Sequence, residues 1–444
     1  MPYIPNTDAD RKRMLESIGA ASISELFDQI PDDLVMQRPL DIPGPLSEIE
    51  IRSHASALSK ENASLGDYAG FLGAGIYDHY IPSTVGAVIG RSEFYTSYTP
   101  YQPEISQGNL QSIFEFQTLA CELTGMEVAN ASMYEAASAL AEAALMATSI
   151  TGRKEWVVSS TVHPAYREVM RTYAWASGCS LLEAGRNGIL TDFQDMSRLV
   201  TAETACVIVQ NPNFFGALES LAEAESLAHQ NGALFIVSCD PISLGLLKPP
   251  GEYNADICVA EGQPLGIPMS FGGPLLGVFA CKKKLVRQMP GRVVGATVDA
   301  EGRRGYTLTL QTREQHIRRE RATSNICTNE ALVALASAVY LTTLGKHGLR
   351  QVANLCLQKA HYAMETIADL QGYSVPFDVP FFKEFVVKCD KPIAESNQRL
   401  LKKKIVGGLD LGRFYPDLAG HMLVCVTEMR TRDEIHALVE GLAE

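Results

Sequence analysis

Between residues 155 and 281, short apolar runs alternate with helical stretches, and this rhythm constrains the fold more than anything else in the chain. The runs are EWVVSS (155–160), SLLEA (180–184), ACVIVQ (205–210), ALFIVSCD (233–240), ADICVA (255–260) and LLGVFAC (275–281). PAYREVMRTYAWAS (164–177) and further helical stretches separate them. Apolar strands without polar alternation are buried on both faces, and helices between them imply right-handed crossovers. The expectation is an α/β domain built on a mainly parallel sheet. Upstream, residues 109–124 and SMYEAASALAEAALMATSI (132–150) read as helices.

The flanks differ. Residues 1–67 read as a helical arm, in which Ser22 to Glu25 and Ser47 to Glu50 have capping-box spacing. From Tyr68 to about Gln107 the chain is rich in Gly, Pro and Tyr without a period, as functional or interface-forming loops are. Residues 68–320 form the expected large domain. From 321 to 444, long helices, FKEFVVKCD, HMLVCVTEM and TRDEIHALVEGLAE predict a small α+β domain.

Composition removes several classes. Acidic residues outnumber basic ones 51 to 38, a net charge of −13, whereas a duplex-binding protein shows a basic face. Nucleic acid is therefore not an expected partner. No apolar run reaches the roughly 18–20 residues of a membrane span, and MPYIPNTDADRKRM shows no secretory signal. The ten cysteines form no CxxC pair, so the expectation is buried small hydrophobes in a reducing cytoplasm. The nine histidines show no HExxH pairing, so no metal is expected. There is no Walker loop or GxSxG elbow, and Gly73–Gly75 (GAG) is too short for a dinucleotide fingerprint.

Three features converge on one chemistry. Ser132, Met133, Tyr134 and Glu135 open an apolar helix, whose free amides could cradle a phosphate or simply be capped. Asp240 closes a strand at its carboxyl end, where it could hold a pyridinium nitrogen or form a turn before Pro241. FGGPLLG (271–277), with Gly272 and Gly273, could admit a phosphate or serve as turn punctuation. Together they resemble the frame of a fold-type I pyridoxal phosphate (PLP) enzyme. Such an enzyme needs a lysine between Asp240 and the glycine loop. The sole lysine there, Lys248, sits early beside Pro249 and Pro250, and after ADICVA the chain reads Glu261, Gly262, Gln263. A glutamine amide is not nucleophilic, so the frame lacks its nucleophile.

Several long strings then carry a resemblance over essentially the whole chain: FLGAGIYDHYIP, YTPYQPEISQG, QNPNFFG, CDPISLG, ADICVAEGQPLGIPMSFGGPLLG and TREQHIRRERATSNICT. The chain resembles the glycine cleavage system P-protein family, in the form where the enzyme is divided into two chains. The resemblance implies decarboxylation of glycine on PLP and transfer of the aminomethyl group to the lipoyl arm of the H-protein. It implies a second subunit carrying the PLP lysine, an α2β2 assembly, and a cytoplasmic location. By the same resemblance Gln263 stands at the lysine position and Gly262 at the residue before it. His163 matches the position that stacks on the cofactor ring, and Asp240 the pyridinium partner. Ser132, His163, Asp240, Gln263, Gly272 and Gly273 are thus expected to be vestigial cofactor-site positions, with no PLP bound covalently to this chain. Tyr95, Tyr98, Tyr101, Gln102 and Glu104 are expected to close the partner's pocket, or else to pack the subunit interface. A purely structural or regulatory partner is the alternative. Lys402–Lys404 could attract an acidic lipoyl carrier, or be a solvated helix end.

Overall fold

Seven strands form the central sheet of the computed structural model, which describes residues 5–326 and 329–444. In chain order they are β1 (Val128–Ala129), β2 (Glu155–Ser159), β3 (Ser180–Ala184), β4 (Thr204–Asn211), β5 (Leu234–Cys239), β6 (Ile257–Glu261) and β7 (Gly277–Cys281). They lie side by side in the order β1-β7-β6-β5-β4-β2-β3. Strands β2 to β6 pair in parallel, and β7 runs antiparallel to both its neighbours.

The strands lack polar alternation because both faces are covered. Val157, Val207, Val209, Phe235 and Val237 enter one core. Their neighbours Trp156, Val158, Cys206, Ile208 and Ile236 enter the other. The helix Pro164–Ser177 starts at a proline, which gives up no hydrogen bond there, and ends at Gly178 in the left-handed conformation (φ 65°). The helix Ala136–Thr151 begins four residues later than the sequence reading placed it. Ser132 lies outside it at φ 142°, and the Glu135 side chain caps it by accepting from the Ser138 N–H.

Downstream, a hairpin of Val293–Val298 and Arg304–Thr309, which the sequence reading left unassigned, packs on the helix Gln107–Thr124 through Val294, Tyr306, Leu110 and Ile113. The helix Ala331–Ala368 breaks its geometry at Gly345 (φ 57°). A second sheet contains β8 (Tyr373–Ser374), β9 (Glu384–Cys389), β10 (Leu409–Asp410) and β11 (His421–Cys425), antiparallel in the order β8-β9-β11-β10. It builds its own core with the helices Ile393–Lys402 and Arg432–Ala443.

A backbone seam joins the two sheets. Phe382 N–H donates to Gly216 O at 3.1 Å, and Leu218 N–H donates to Pro380 O at 2.9 Å. Gly216 is required here: it has φ 83°, and a Cβ would lie 2.0 Å from Glu384 O. The seam delivers the start of β9 to the carboxyl ends of the central strands, where open α/β sheets bind ligands.

The chain divides into two compact units, residues 1–62 and 63–444. The expected arm ended at 67, and the expected boundary at 320 falls inside the second unit. The first unit contains the helices Asp8–Ile18 and Glu48–Ser59, the latter opened by the Ser47–Glu50 capping box, and none of its described residues is buried. Ser22 and Glu25 bond at the start of a short 3-10 turn, Ser24–Phe27. No helix among the described residues is long and apolar enough to cross a membrane. Of the described cysteines, seven are buried and none is in a disulfide; Cys327 and the first four residues lie outside the described residues.

Candidate functional site

At the carboxyl ends of β4, β5 and β6 lies a cleft lined by Tyr77, His163, Tyr166, Asp240, Glu261, Lys383 and Glu384, among others. Its free volume is about 30 Å³, room for a water or two. Small-molecule pockets are on the order of 300 Å³ or more.

Asp240 uses both carboxylate oxygens. Oδ1 accepts from the Ile242 N–H at 2.9 Å, the turn that Pro241 favours. Oδ2 lies 2.7 Å from Lys383 Nζ, whose side chain is 1% exposed. Burial is the largest influence and works against the ammonium, but the Asp240 charge, its hydrogen bond and the nearby Cys425 and Cys356 thiols together hold Lys383 above the usual lysine range. The same nitrogen is 3.4 Å from the Tyr77 ring centre and 3.1 Å from His79 Nε2. Facing an ammonium, Nε2 must accept, so Nδ1–H donates to Glu428 Oε2 at 2.6 Å. Cys356 Sγ donates to that oxygen at 3.3 Å. A chain of buried groups thus runs Asp240–Lys383–His79–Glu428–Cys356.

His79, Cys356 and Glu428 bring their ligand atoms within 4.8 Å of one another, a grouping invisible in a sequence that separates them so widely. Their lone pairs and protons already serve one another, and Lys383 faces the imidazole, so the grouping reads as a hydrogen-bond network rather than a metal centre.

Glu384, next to Lys383, accepts from Ala74 N–H (2.7 Å) and Tyr77 OH (2.8 Å). Burial lifts its carboxyl to about 7. Gln263 clasps the same segment. Its Oε1 accepts from Tyr77 N–H and its Nε2 donates to Tyr77 O, both at 2.9 Å, while Nε2 also donates to Ile267 O at 2.8 Å. A lysine offers no acceptor and could not make this reciprocal bond.

The start of the helix Ala136–Thr151 is occupied by carboxylates. Glu261 Oε2 accepts from Ala136 N–H, and its Oε1 accepts from Gln263 N–H and Leu276 N–H, each at 3.1 Å. Burial raises the Glu261 carboxyl to about 7. The expected helix opening at Ser132 to Glu135 is corrected on two counts. Ser132 precedes the helix, and its Oγ accepts from Glu330 N–H and Asn329 Nδ2, both at 3.1 Å.

His163 reaches the cleft as the cap of its helix. Its Nε2–H donates to Ala74 O at 2.9 Å, and its Nδ1 accepts from Ala165 N–H at 3.1 Å, which makes the ring neutral. Burial pushes it below the usual histidine range. The ring stacks on Tyr166, with 4.5 Å between centres.

The structure brings His163 and Asp240 to one cleft, with Gln263 clasping its wall. Ser132 does not line it. Gly272 (φ 124°) and Gly273 (φ 139°) belong to a largely exposed loop in which Ser270 and Phe271 also have positive φ, and Phe271 and Gly272 border a separate 620 Å³ cavity. Tyr95, Tyr98, Tyr101, Gln102 and Glu104 are exposed and line no part of the Asp240 cleft. Tyr95 and Tyr98 border another cavity, and Tyr101 OH accepts from Arg292 Nη2 at 2.9 Å. Lys248 is exposed beside the Tyr253 ring, and Lys402–Lys404 are exposed at a helix end. Sequence reading missed Lys383, Glu261 and Glu384. A glutamate ending a buried strand was the one available signal, since buried carboxylates need partners.

PLP does not fit this cleft. Its pyridinium nitrogen would need the Asp240 oxygen that Lys383 holds, its phosphate would meet Glu261 at the helix amides, and its carbonyl carbon would find an amide at 263.

The family model for the glycine cleavage system P-protein matches residues 1–442. A probable glycine dehydrogenase (decarboxylating) subunit 1 of Desulforamulus reducens is 55% identical over 442 residues, covering 100% of this chain and 99% of the relative. Its namesake in Desulfitobacterium hafniense is 53% identical, covering 100% of both. A crystal structure of glycine decarboxylase (P-protein) of the glycine cleavage system, in inhibitor-bound form, superposes with a TM-score of 0.92 at 44% identity, covering 100% of this chain and 99% of the other. The sphingosine-1-phosphate lyase of Burkholderia pseudomallei shares the fold alone, with a TM-score of 0.65 at 14% identity over 92% of each chain. The fold is that of the fold-type I PLP-dependent enzymes.

Proposed function

The chain belongs to the glycine cleavage system P-protein family, and from that premise we propose that it is the half of a two-chain glycine decarboxylase that carries no cofactor. A partner subunit supplies PLP and the lysine that binds it. The assembled enzyme decarboxylates glycine and passes the aminomethyl group to the lipoyl arm of the H-protein, in the cytoplasm. The observation that carries this reading is the cleft itself: the fold of a PLP enzyme is kept, while the aspartate that would serve the pyridine is neutralised by the chain's own lysine.

Its remaining task is to complete the partner's site. The exposed segment with Tyr95, Tyr98, Tyr101, Gln102 and Glu104 suits that role, because side chains used only at an interface stay exposed in the isolated chain. Phenol and amide groups can hydrogen-bond a small substrate, while the rings keep water from the carbanion left by decarboxylation.

The test is glycine–bicarbonate exchange with this chain alone, the partner alone, and both together. Exchange only in the mixture supports the half-enzyme. Full exchange by the partner alone would leave this chain a structural or regulatory role, and exchange by this chain alone would refute the proposal outright.

A further inference from the structure

We propose that this chain fills both ends of a PLP site with its own side chains: the Lys383 ammonium replaces the pyridinium, and the Glu261 carboxyl group occupies the amides that would hold the phosphate. The cleft is therefore internally liganded and closed to the cofactor. This rests on the reading that the Asp240 cleft is the counterpart of a cofactor site, and it goes further by naming what excludes the cofactor.

Two independent pieces of geometry carry the proposal. A buried aspartate at the end of a central strand needs a cation, and in a PLP enzyme the ring nitrogen provides it. Here Lys383 arrives from the second sheet, 2.7 Å from Asp240. The seam at Gly216 and the Val426 N–H bond to Lys383 O (2.9 Å) hold its backbone in place. At the other end, main-chain N–H groups at a helix start form an anion site. The Ala136, Leu276 and Gln263 amides converge on Glu261 at 3.1 Å. A phosphate entering there would have to displace the Glu261 carboxyl group and then sit beside Glu135 as well.

Lys383 is a primary amine inside the cleft, yet it is not placed to capture the aldehyde. Bonded to Asp240, it stands where the ring nitrogen would lie, at the far side of the ring from the carbonyl carbon. Its charge also removes the lone pair that attack requires.

Pyridoxamine phosphate, which carries its own amine and needs no lysine, is the probe. Equilibrium dialysis of the full-length chain should show no saturable uptake by the parent. Lys383→Ala/Glu261→Ala should take up one molecule per chain. Saturable uptake of one per chain by the parent would overturn the proposal. So would its absence in the double variant, if that variant keeps the parent's circular dichroism and cooperative melting. A second readout needs no substitution. When the parent is treated with PLP and borohydride, exposed Lys248 and Lys402 should be labelled and Lys383 should not; labelled Lys383 in the folded chain would equally refute the idea. Neither experiment measures glycine exchange, so a chain that takes up cofactor yet works only with its partner would defeat this inference and the cofactor-free part of the proposed function, and would leave standing only that glycine exchange needs both chains.

Discussion

Replacing Lys383 by methionine keeps much of the side chain's length and apolar bulk but removes the cation over Asp240. At 2.7 Å, two unit charges in a medium of effective dielectric about 20 attract by about 6 kcal/mol before desolvation is counted. The costs of drying each ion offset most of this, so the pair itself contributes little net stability. Breaking it is another matter, because Asp240 would keep one main-chain donor, the Ile242 N–H, and lie near the Glu384 carboxyl. Removing one partner of a buried pair costs about 3–5 kcal/mol, whereas replacing both is often close to neutral. Loss of the Tyr77 ring contact at 3.4 Å adds about 1 kcal/mol to either variant. The expected pattern is non-additive. Lys383→Met loses about 5 kcal/mol, and Lys383→Met/Asp240→Asn recovers at least about 2 kcal/mol of that. Urea unfolding followed by far-ultraviolet circular dichroism at pH 7 measures both. If Lys383→Met costs under about 1 kcal/mol, or if the two substitutions simply add, the ammonium is not the counter-ion described here.

Burial raises Glu384 from 4.5 to about 7, so the folded state favours its neutral form. The stabilisation from that preference is complete below 4.5 and is lost as pH rises through 7, about 3 kcal/mol in all. Glu384→Gln, always neutral, should flatten the fall in melting temperature between pH 5 and 8.5; an unchanged slope would show that Glu384 is not the group responsible. Gly216→Ala forces a Cβ to 2.0 Å from Glu384 O at φ 83° and should cost more than about 2 kcal/mol, read from the shift in urea midpoint. Tyr98→Phe and Glu104→Gln should leave the two-chain assembly intact by gel filtration and lower glycine–bicarbonate exchange. Full exchange in both would return the segment to an interface role only.

Much of the fold was written in local pattern. Each apolar run between 155 and 281 became a strand because a buried parallel strand needs only a short stretch of side chains acceptable on both faces. The helix Pro164–Ser177 was legible to the residue because proline and glycine mark its ends. Where a rule acts through contacts, the reading slipped. The helix after VANA starts at Ala136 because Glu135 found a better capping geometry and Ser132 was drawn to Asn329 and Glu330, nearly 200 residues away.

The candidate site divides in the same way. By itself the sequence determined that no lysine stands between ADICVA and the glycine loop at 271–277, that Asp240 closes its own strand, and that an amide stands at 263, since these are matters of residue identity and strand order. Only the tertiary structure decided what became of the space. Lys383 lies beyond the long helix, just ahead of a strand of a different sheet, and a backbone seam through a single glycine brings it to Asp240. The filling of a cleft depends on which distant charges the fold can desolvate together, and spacing along a chain carries no record of that.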